Sequence, residues 1–461
     1  PATPPTITQA EAQQGAQANQ QILQEFGGAM TGPQAQYVET IGKNIAVHSG
    51  LGNAREAFRV AMLDSSVNNA FAIPGGYIYT TRQLVALMNN EAELAGVLGH
   101  EVAHVAARHS QRRQQTAQRN SILGAIGSVL SGVLLGNSQI GQAISSGIQQ
   151  GSQLLTLRFS RTQELEADDL GQQYLVRAGY DPNAMATVLA SLAAQNSLDA
   201  RLQGRGDAQV PAWASTHPDP ASRVASATKR AANRGGLTNR DTFLNRIDGL
   251  VYGDDPKQGV IEGRRFIHPD LRLSFEAPNG FYMVNGTTAV SINGQSGQAQ
   301  LTLAPYNGSL ENYVAGVFQR LGQNSQLSPG TIQRTTVNGL PAAYATARAS
   351  TRQGQVDVTI FAYEFARDRA YHFQAITAAG RSGVFNQMFG SMRRITQAEA
   401  GSVVPRRIDV VTVGPRDTVQ SLAARMAYTS GQVDRFRVLN GLRGNDVVRA
   451  GQKVKLVIYA R

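Results

Sequence analysis

The sequence predicts a multidomain chain: a mainly α domain with a small β-sheet, then an α+β domain, then a compact basic segment. Three observations carry this reading. The 461 residues exceed what one ordinary hydrophobic core organises. Apolar residues recur at helical spacing in the first half of the chain and alternate as in strands over 264–396. Charge gathers at the far end, where residues 405–461 carry eleven Lys or Arg against four Asp, about +7 of the formal +11.

Taken in order, residues 1–32 are a Gln/Ala-rich tail with an amphipathic helix over Glu11–Phe26. The first domain, 33–255, opens with a helix over Tyr37–Val47. Short strands at Ala57–Leu63 and Tyr77–Thr80 follow, around the turn Pro74-Gly75-Gly76. The most regular helix runs from Glu91 to about Arg113: Leu94, Val97, Leu98, Val102 and Val105 keep helical spacing, Asn89 or Asn90 caps it, and Glu91 and Glu93 fill its first turn. Further helices are expected over Thr162–Ala178 and Asn183–Gln195. Periodicity is lost over Ala231–Gly263, which places the domain boundary there. The α+β domain, 264–396, has strand-like runs at Leu271–Phe275, Ala299–Leu303, Ala342–Ala347, Val356–Tyr363 and Ala370–Ile376, with helices at Leu310–Leu321 and Gly383–Met392.

Composition narrows the chemistry. Cysteine is absent, which excludes disulfide scaffolds, thiolate metal sites and cysteine nucleophiles, so any metal must be held by His and carboxylates. Apolar residues at 42% and charged residues at 16% suit a globular protein. The apolar stretch Ile122–Leu135 is Gly- and Ser-rich and shorter than the ~18–20 residues of a membrane span, so no transmembrane segment is expected; it reads as a packed helix–loop element, the alternative being a segment that covers an active site or touches a membrane. The positive charge suggests an anionic neighbour; no recognition motif accompanies it, so nucleic acid is not expected. No phosphate loop, Rossmann glycine pattern or nucleophile elbow is present, and no organic cofactor is inferred. The numbering starts at Pro1 with no leader before it, so an export signal is expected to have been removed.

The run His100-Glu101-Val102-Ala103-His104 concentrates the chemistry. Two residues four apart share a helix face, so both imidazoles can meet one ion while Glu101 sits beside that face as a general base for metal-assisted hydrolysis. A third ligand is needed. Ser160-Arg161-Thr162-Gln163-Glu164-Leu165-Glu166-Ala167-Asp168 offers Glu164 and Asp168 on one face, with Glu166 off it. One of the two carboxylates can bind metal while the other accepts the free N–H of a metal-bound histidine.

These motifs resemble gluzincin metallopeptidases of the HtpX, BepA and CAAX-prenyl-protease type, over roughly residues 20–235. Asn69-Ala70-Phe71-Ala72 with Pro74-Gly75-Gly76, and Arg108-His109 after the helix, extend the likeness. The resemblance implies a zincin-like domain with one zinc ion per chain, held by His100, His104 and Glu164. It makes Glu101 the general base, Asp168 a support for a zinc histidine, and Asn69, Ala70, Phe71 and Ala72 the edge strand that pairs with substrate. Within Thr216-His217-Pro218-Asp219-Pro220-Ala221-Ser222-Arg223 it implies His217 as a fourth ligand in a latent state and Arg223 as an oxyanion stabiliser. The remaining histidines, His48, His109, His268 and His372, read as structural. Residues 405–461 resemble a LysM module through Val411-Thr412-Val413, Ser421-Leu422-Ala423, Leu439-Asn440-Gly441-Leu442 and Gly451-Gln452-Lys453-Val454, implying a βααβ fold and binding to peptidoglycan or an anionic envelope surface. Phe275-Glu276-Ala277-Pro278 with Gly280-Phe281 resembles the PsbP-like α+β sandwich. The implied function is a zinc endopeptidase, periplasmic or outer-membrane-associated, acting on misfolded or misassembled proteins. The alternative is a catalytically quiet, wall-bound scaffold or chaperone.

Overall fold

The computed structural model describes residues 3–112, 159–202, 217, 219–286, 289–322, 327–351 and 354–460. The stretch Ile122–Leu135, read above as a packed element, lies outside them, as do Thr216 and Pro218 of the His-Pro motif. The described residues fall into two compact units: one takes in those up to 112, 159–253 and 405–460, the other 254–404.

In the first unit, α1 (Gln9–Glu25) starts at a capping box between Thr8 and Glu11. α2 (Pro33–Ala46) buries Val38, Ile41 and Ile45. One helical turn, α3 (Ala54–Ala57), leads into β1 (Arg59–Leu63), β2 (Ala70–Ile73) and β3 (Tyr77–Thr81). The sheet order is β1-β3-β2, with β1 parallel and β2 antiparallel to β3, so β2 is an edge strand. The turn before β3 requires its glycines. Gly75 and Gly76 have φ of 95° and 85°, and a Cβ on Gly75 would meet the Glu11 carbonyl at 2.3 Å.

α4 (Arg82–Leu87) is capped by Thr81, and α5 (Glu91–Ala106) by Asn90, whose side chain accepts from the Glu93 amide. Every residue from Glu91 to His104 is buried, which makes α5 the central helix. It ends seven residues earlier than its apolar periodicity predicts. Arg108 adopts a left-handed φ of 52°, which breaks the helix before residues 109–112 make one more turn.

α6 (Arg161–Arg177) starts at a capping box of Ser160 and Gln163, α7 (Asn183–Leu202) runs past Gln195, and α8 (Pro220–Ala231) is capped by Asp219. The aperiodic stretch Ala231–Gly263 is not simply a linker. It holds α9 (Arg240–Ile247), which buries Phe243, Leu244 and Ile247, and then β4 (Val251–Tyr252). Two helical turns between Gly- and Asn-rich flanks are too short to leave a readable period.

Among the described residues, the second unit carries the five expected strands, here Leu273–Glu276, Gly297–Leu303, Leu340–Thr351, Gly354–Ala366 and Arg369–Ala378, together with six others. β5 (Val260–Glu262), β6 (Arg265–His268), β7 (Leu273–Glu276) and β15 (Arg393–Arg394) form one sheet in the order β15-β7-β6-β5. The other contains β8 (Tyr282–Asn285), β9 (Val290–Gly294), β10 (Gly297–Leu303), β11 (Gln333–Val337), β12 (Leu340–Thr351), β13 (Gly354–Ala366) and β14 (Arg369–Ala378), in the order β11-β12-β13-β14-β10-β9-β8. Alternation sorts its two faces. Phe361, Tyr363 and Phe373 join Phe266, Phe275 and Phe389 in one core, whereas Val358, Ile360 and Ala362 pack with α10 (Leu310–Leu321) in another. α11 (Asn386–Ser391) and α12 (Gln397–Ser402) complete it.

The last segment belongs to the first unit. β16 (Arg406–Thr412), α13 (Val419–Ala423), α14 (Gln432–Leu439) and β17 (Lys453–Tyr459) give a strand, two helices and a strand. β16 pairs with β17 and also with β4. Ile408, Leu422, Phe436 and Leu456 share a core with Leu84, Val85 and Phe243. The buried Lys455 donates through Nζ to the carbonyls of Ala86 at 2.8 Å and Met88 at 2.6 Å. Among the described residues no helix is long and apolar enough to cross a membrane.

Candidate metal centre

α5 and α6 bring the donors together because glycines let the helices approach. A Cβ on Gly171 would lie 3.1 Å from the His100 amide nitrogen and 3.3 Å from the Gly99 carbonyl carbon. α5 supplies His100, Glu101 and His104. α6 supplies Glu164 and Asp168, one turn apart on the face that also carries Gly171. His217 arrives two residues before the cap of α8, and Arg223 stands in that helix's first turn.

His100 Nε2 lies 3.0 Å from His104 Nε2, 3.3 Å from Glu164 Oε2 and 3.2 Å from His217 Nδ1. Glu164 Oε1 is 3.4 Å from His104 Nε2 and 3.1 Å from His217 Nδ1. Donors held ~2.0–2.2 Å from a tetrahedral zinc ion are about 3.3–3.6 Å apart, so these separations, in or just below that range, suit such an ion. Charge points the same way. Among the described residues here, three buried carboxylates (Glu101, Glu164 and Asp168) face one buried guanidinium, Arg223, a deficit that a divalent cation offsets. His100, His104, Glu164 and His217 together form a group able to hold a metal.

Residues 33–231 match peptidase family M48. The beta-barrel assembly-enhancing proteases of Escherichia coli (strain K12) and Yersinia pestis are each 35% identical over 199 residues, which is 42% of this chain and 38% of theirs. Residues 33–231 are an M48 peptidase domain. The mitochondrial metalloendopeptidase OMA1 of Schizosaccharomyces pombe is 30% identical over 210 residues, 45% of this chain and 57% of that protein. The chain thus spans well under half the length of the two bacterial relatives. The solution structure of cyanobacterial PsbP from Synechocystis sp. PCC 6803 aligns with 28% of this chain and 91% of its own at 12% identity, with a TM-score of 0.24 that is too low to assign a fold.

In the M48 domain Glu101 is fully buried, and neither of its carboxylate oxygens takes a hydrogen bond from another described group. Burial pushes its pKa up, against the pull of His217 and His100. His217 Nε2 is 3.4 Å from Glu101 Oε1 and 3.2 Å from the carbonyl of Ala70 on β2, so this ring stands between the ligand cluster and the edge strand. Asn69 is buried in front of that strand, its amide donating to Thr81 Oγ1, while the Phe71 ring stacks on Tyr79.

Behind His100, Nδ1 is 2.9 Å from Asp168 Oδ1. Arg223 grips Asp168 with Nε at 2.7 Å and Nη2 at 2.6 Å, and its Nη1 is 2.9 Å from Glu164 Oε2. Burial opposes ionisation of Asp168, but Arg223 and His100 outweigh it and hold the carboxyl at about 2. The same balance, with His217 and His100 as partners, keeps Glu164 well below the usual carboxylate range.

Two residues read as remote from the chemistry stand directly behind His104. His109, grouped above with the structural histidines, places Nδ1 2.7 Å from His104 Nδ1, and its Nε2 is 3.1 Å from Oε2 of Glu166. Helical spacing could not find them, because the left-handed Arg108 turns residue 109 back under the helix. The motif Arg108-His109 was the available signal. His372, by contrast, lies in the second unit, bonded to the Tyr313 hydroxyl at 2.7 Å.

Proposed function

We propose that this chain is a zinc-dependent endopeptidase of the bacterial cell envelope, with His100, His104 and Glu164 as metal ligands and Glu101 as general base. The observation that carries this reading is the convergence of three ligand atoms beside a buried carboxylate that takes no hydrogen bond from another described residue. When bound, the zinc ion supplies Lewis-acid chemistry, lowering the pKa of a water molecule and polarising the scissile carbonyl. Glu101 takes a proton from the attacking water and delivers one to the leaving amine. Asp168 orients His100, and Arg223 fixes Asp168 while neutralising part of the carboxylate charge. Nη1 is the one Arg223 nitrogen not on Asp168, and it faces Glu164 Oε2 at 2.9 Å, so Arg223 can act on a developing oxyanion only by sharing Nη1 with that carboxylate. The outer edge of β2 is the place for substrate backbone to add as a strand.

The position of His217 supports a closed form of the site. With His217 as a fourth donor the ligand set is complete, and its ring also covers the Ala70 carbonyl that substrate would need. Substrates are misfolded or misassembled envelope proteins, a reading supported by the beta-barrel assembly-enhancing names of the bacterial relatives. The test uses unfolded casein and the full chain. Glu101→Gln is expected to lower kcat by about 10³-fold with zinc content unchanged, and His217→Ala to raise the rate. A Glu101→Gln protein as active as the parent would refute the mechanism. A slower His217→Ala protein would refute the closed-form reading alone.

A further inference from the structure

We propose that His109 and Glu166 form a positioning relay for His104, so that the second zinc histidine is oriented through another imidazole rather than directly by a carboxylate. The inference rests on the metal site described above. A histidine that offers Nε2 to a cation carries its proton on Nδ1, and that proton needs an acceptor. For His100 the carboxylate facing Nδ1 is that of Asp168, with Oδ1 at 2.9 Å. For His104 the facing atom is His109 Nδ1 at 2.7 Å. His109 can accept there only if Nδ1 is bare, which puts its own proton on Nε2, 3.1 Å from Glu166 Oε2. In this tautomer pattern both contacts are hydrogen bonds, and the pattern runs from Glu166 to the ligand atom.

The surroundings hold the relay in place. Arg108, with φ of 52°, turns the backbone so that a residue five positions after His104 returns beneath it. Gln163 Nε2 donates to the His109 carbonyl at 3.0 Å, anchoring the turn to α6. Arg112 Nη2 donates to Glu166 Oε2 at 2.9 Å, which keeps that carboxylate facing His109. Phe159 stacks on the His104 ring with centroids 3.8 Å apart, leaving rotation of the imidazole to be set by its Nδ1 partner. The two zinc histidines are therefore supported unequally: one by a buried carboxylate clamped by Arg223, the other by a neutral ring whose tautomer depends on a carboxylate near the surface.

Three variants separate orientation from packing. In His109→Asn the side-chain oxygen falls near the position of Nδ1 and can still accept from His104, but the link to Glu166 is cut. His109→Leu removes both contacts, and Glu166→Ala removes only the distal one, at a half-exposed position where folding is not at stake. The readouts are the zinc dissociation constant by chelator competition, the melting temperature of the metal-free protein, and kcat and KM on a peptide. The relay predicts zinc affinity weakened about 10- to 100-fold in His109→Leu, less in His109→Asn and about threefold in Glu166→Ala, with kcat reduced and KM unchanged. It is overturned if His109→Leu binds zinc within twofold of the parent. It is equally overturned if the Asn and Leu variants lose affinity together and only in step with a lower metal-free melting temperature, the mark of a packing residue. A parent that binds zinc no better than its His100→Ala variant would instead sink the metal site itself.

Discussion

At the scale of single residues, the site is a problem of buried charge, and Asp168 shows how it is solved. Its carboxyl is held at about 2, below its ordinary 3.8, because Arg223 and His100 overcome the cost of burial. A carboxylate depressed in the folded state contributes stability that is present above its unfolded pKa and lost as pH falls through the folded value. The displacement corresponds to about 2–3 kcal/mol at neutral pH, lost between roughly pH 4 and pH 2. Urea unfolding of the chelated protein across that window should show a steeper acid loss in the parent than in Asp168→Asn. At pH 7 the variant should already be weaker, because Arg223 keeps its burial without its bidentate partner. Equal acid slopes would count against the assignment. The candidate residues His100, His104, Glu164 and Asp168 were legible in the sequence since their geometry is local: four residues make one helical turn, for His100 with His104 and again for Glu164 with Asp168, although spacing left open which carboxylate would face a metal. His109 was not, since its position depends on one left-handed backbone angle at Arg108 that no pattern of residue types encodes.

Between elements, the decisive contact is the crossing of α5 over α6. Gly171 is the nearest approach, and an added methyl there would press on the backbone at Gly99 and His100 and on the end of Met185. Backbone yields less readily than a side-chain tip, so Gly171→Ala should cost about 1–3 kcal/mol and loosen zinc by moving α6 away from α5. Gly99→Ala meets only the Ile45 side chain below 3.4 Å, and should be milder in both respects. Thermal melts and zinc titrations of the two variants check the ranking, and a Gly99 variant worse than the Gly171 one would overturn it. The long helices and the longer strands β10, β12, β13 and β14 were readable because their periods repeat, whereas β5, β6, β8, β9, β11 and β15, of two to five residues each, were not. α9 was not, with only two turns to display a period, and the end of α5 was overrun because its apolar spacing continues past the residue that breaks it.

At the scale of the whole molecule, composition drew attention to the basic charge of residues 405–461 and suggested a separate docking module. The structure uses part of that charge internally. Lys455 lies fully buried, its ammonium directed at two carbonyls at the end of α4, and β16 extends a sheet with β4, while Ile408, Phe436 and Leu456 enter the core of the M48-containing unit. Such contacts join positions more than 360 apart in sequence, which no local pattern can announce. If they are structural supports rather than incidental packing, this unit unfolds as one body. Lys455→Met keeps the side-chain length but leaves the Ala86 and Met88 carbonyls unpaired in the interior, a loss of about 2–4 kcal/mol. Calorimetry with a zinc-release dye should then show a single transition for release and unfolding of this unit, shifted down in the variant. A C-terminal module that is independent would give its own transition, and the substitution would leave zinc release where it was.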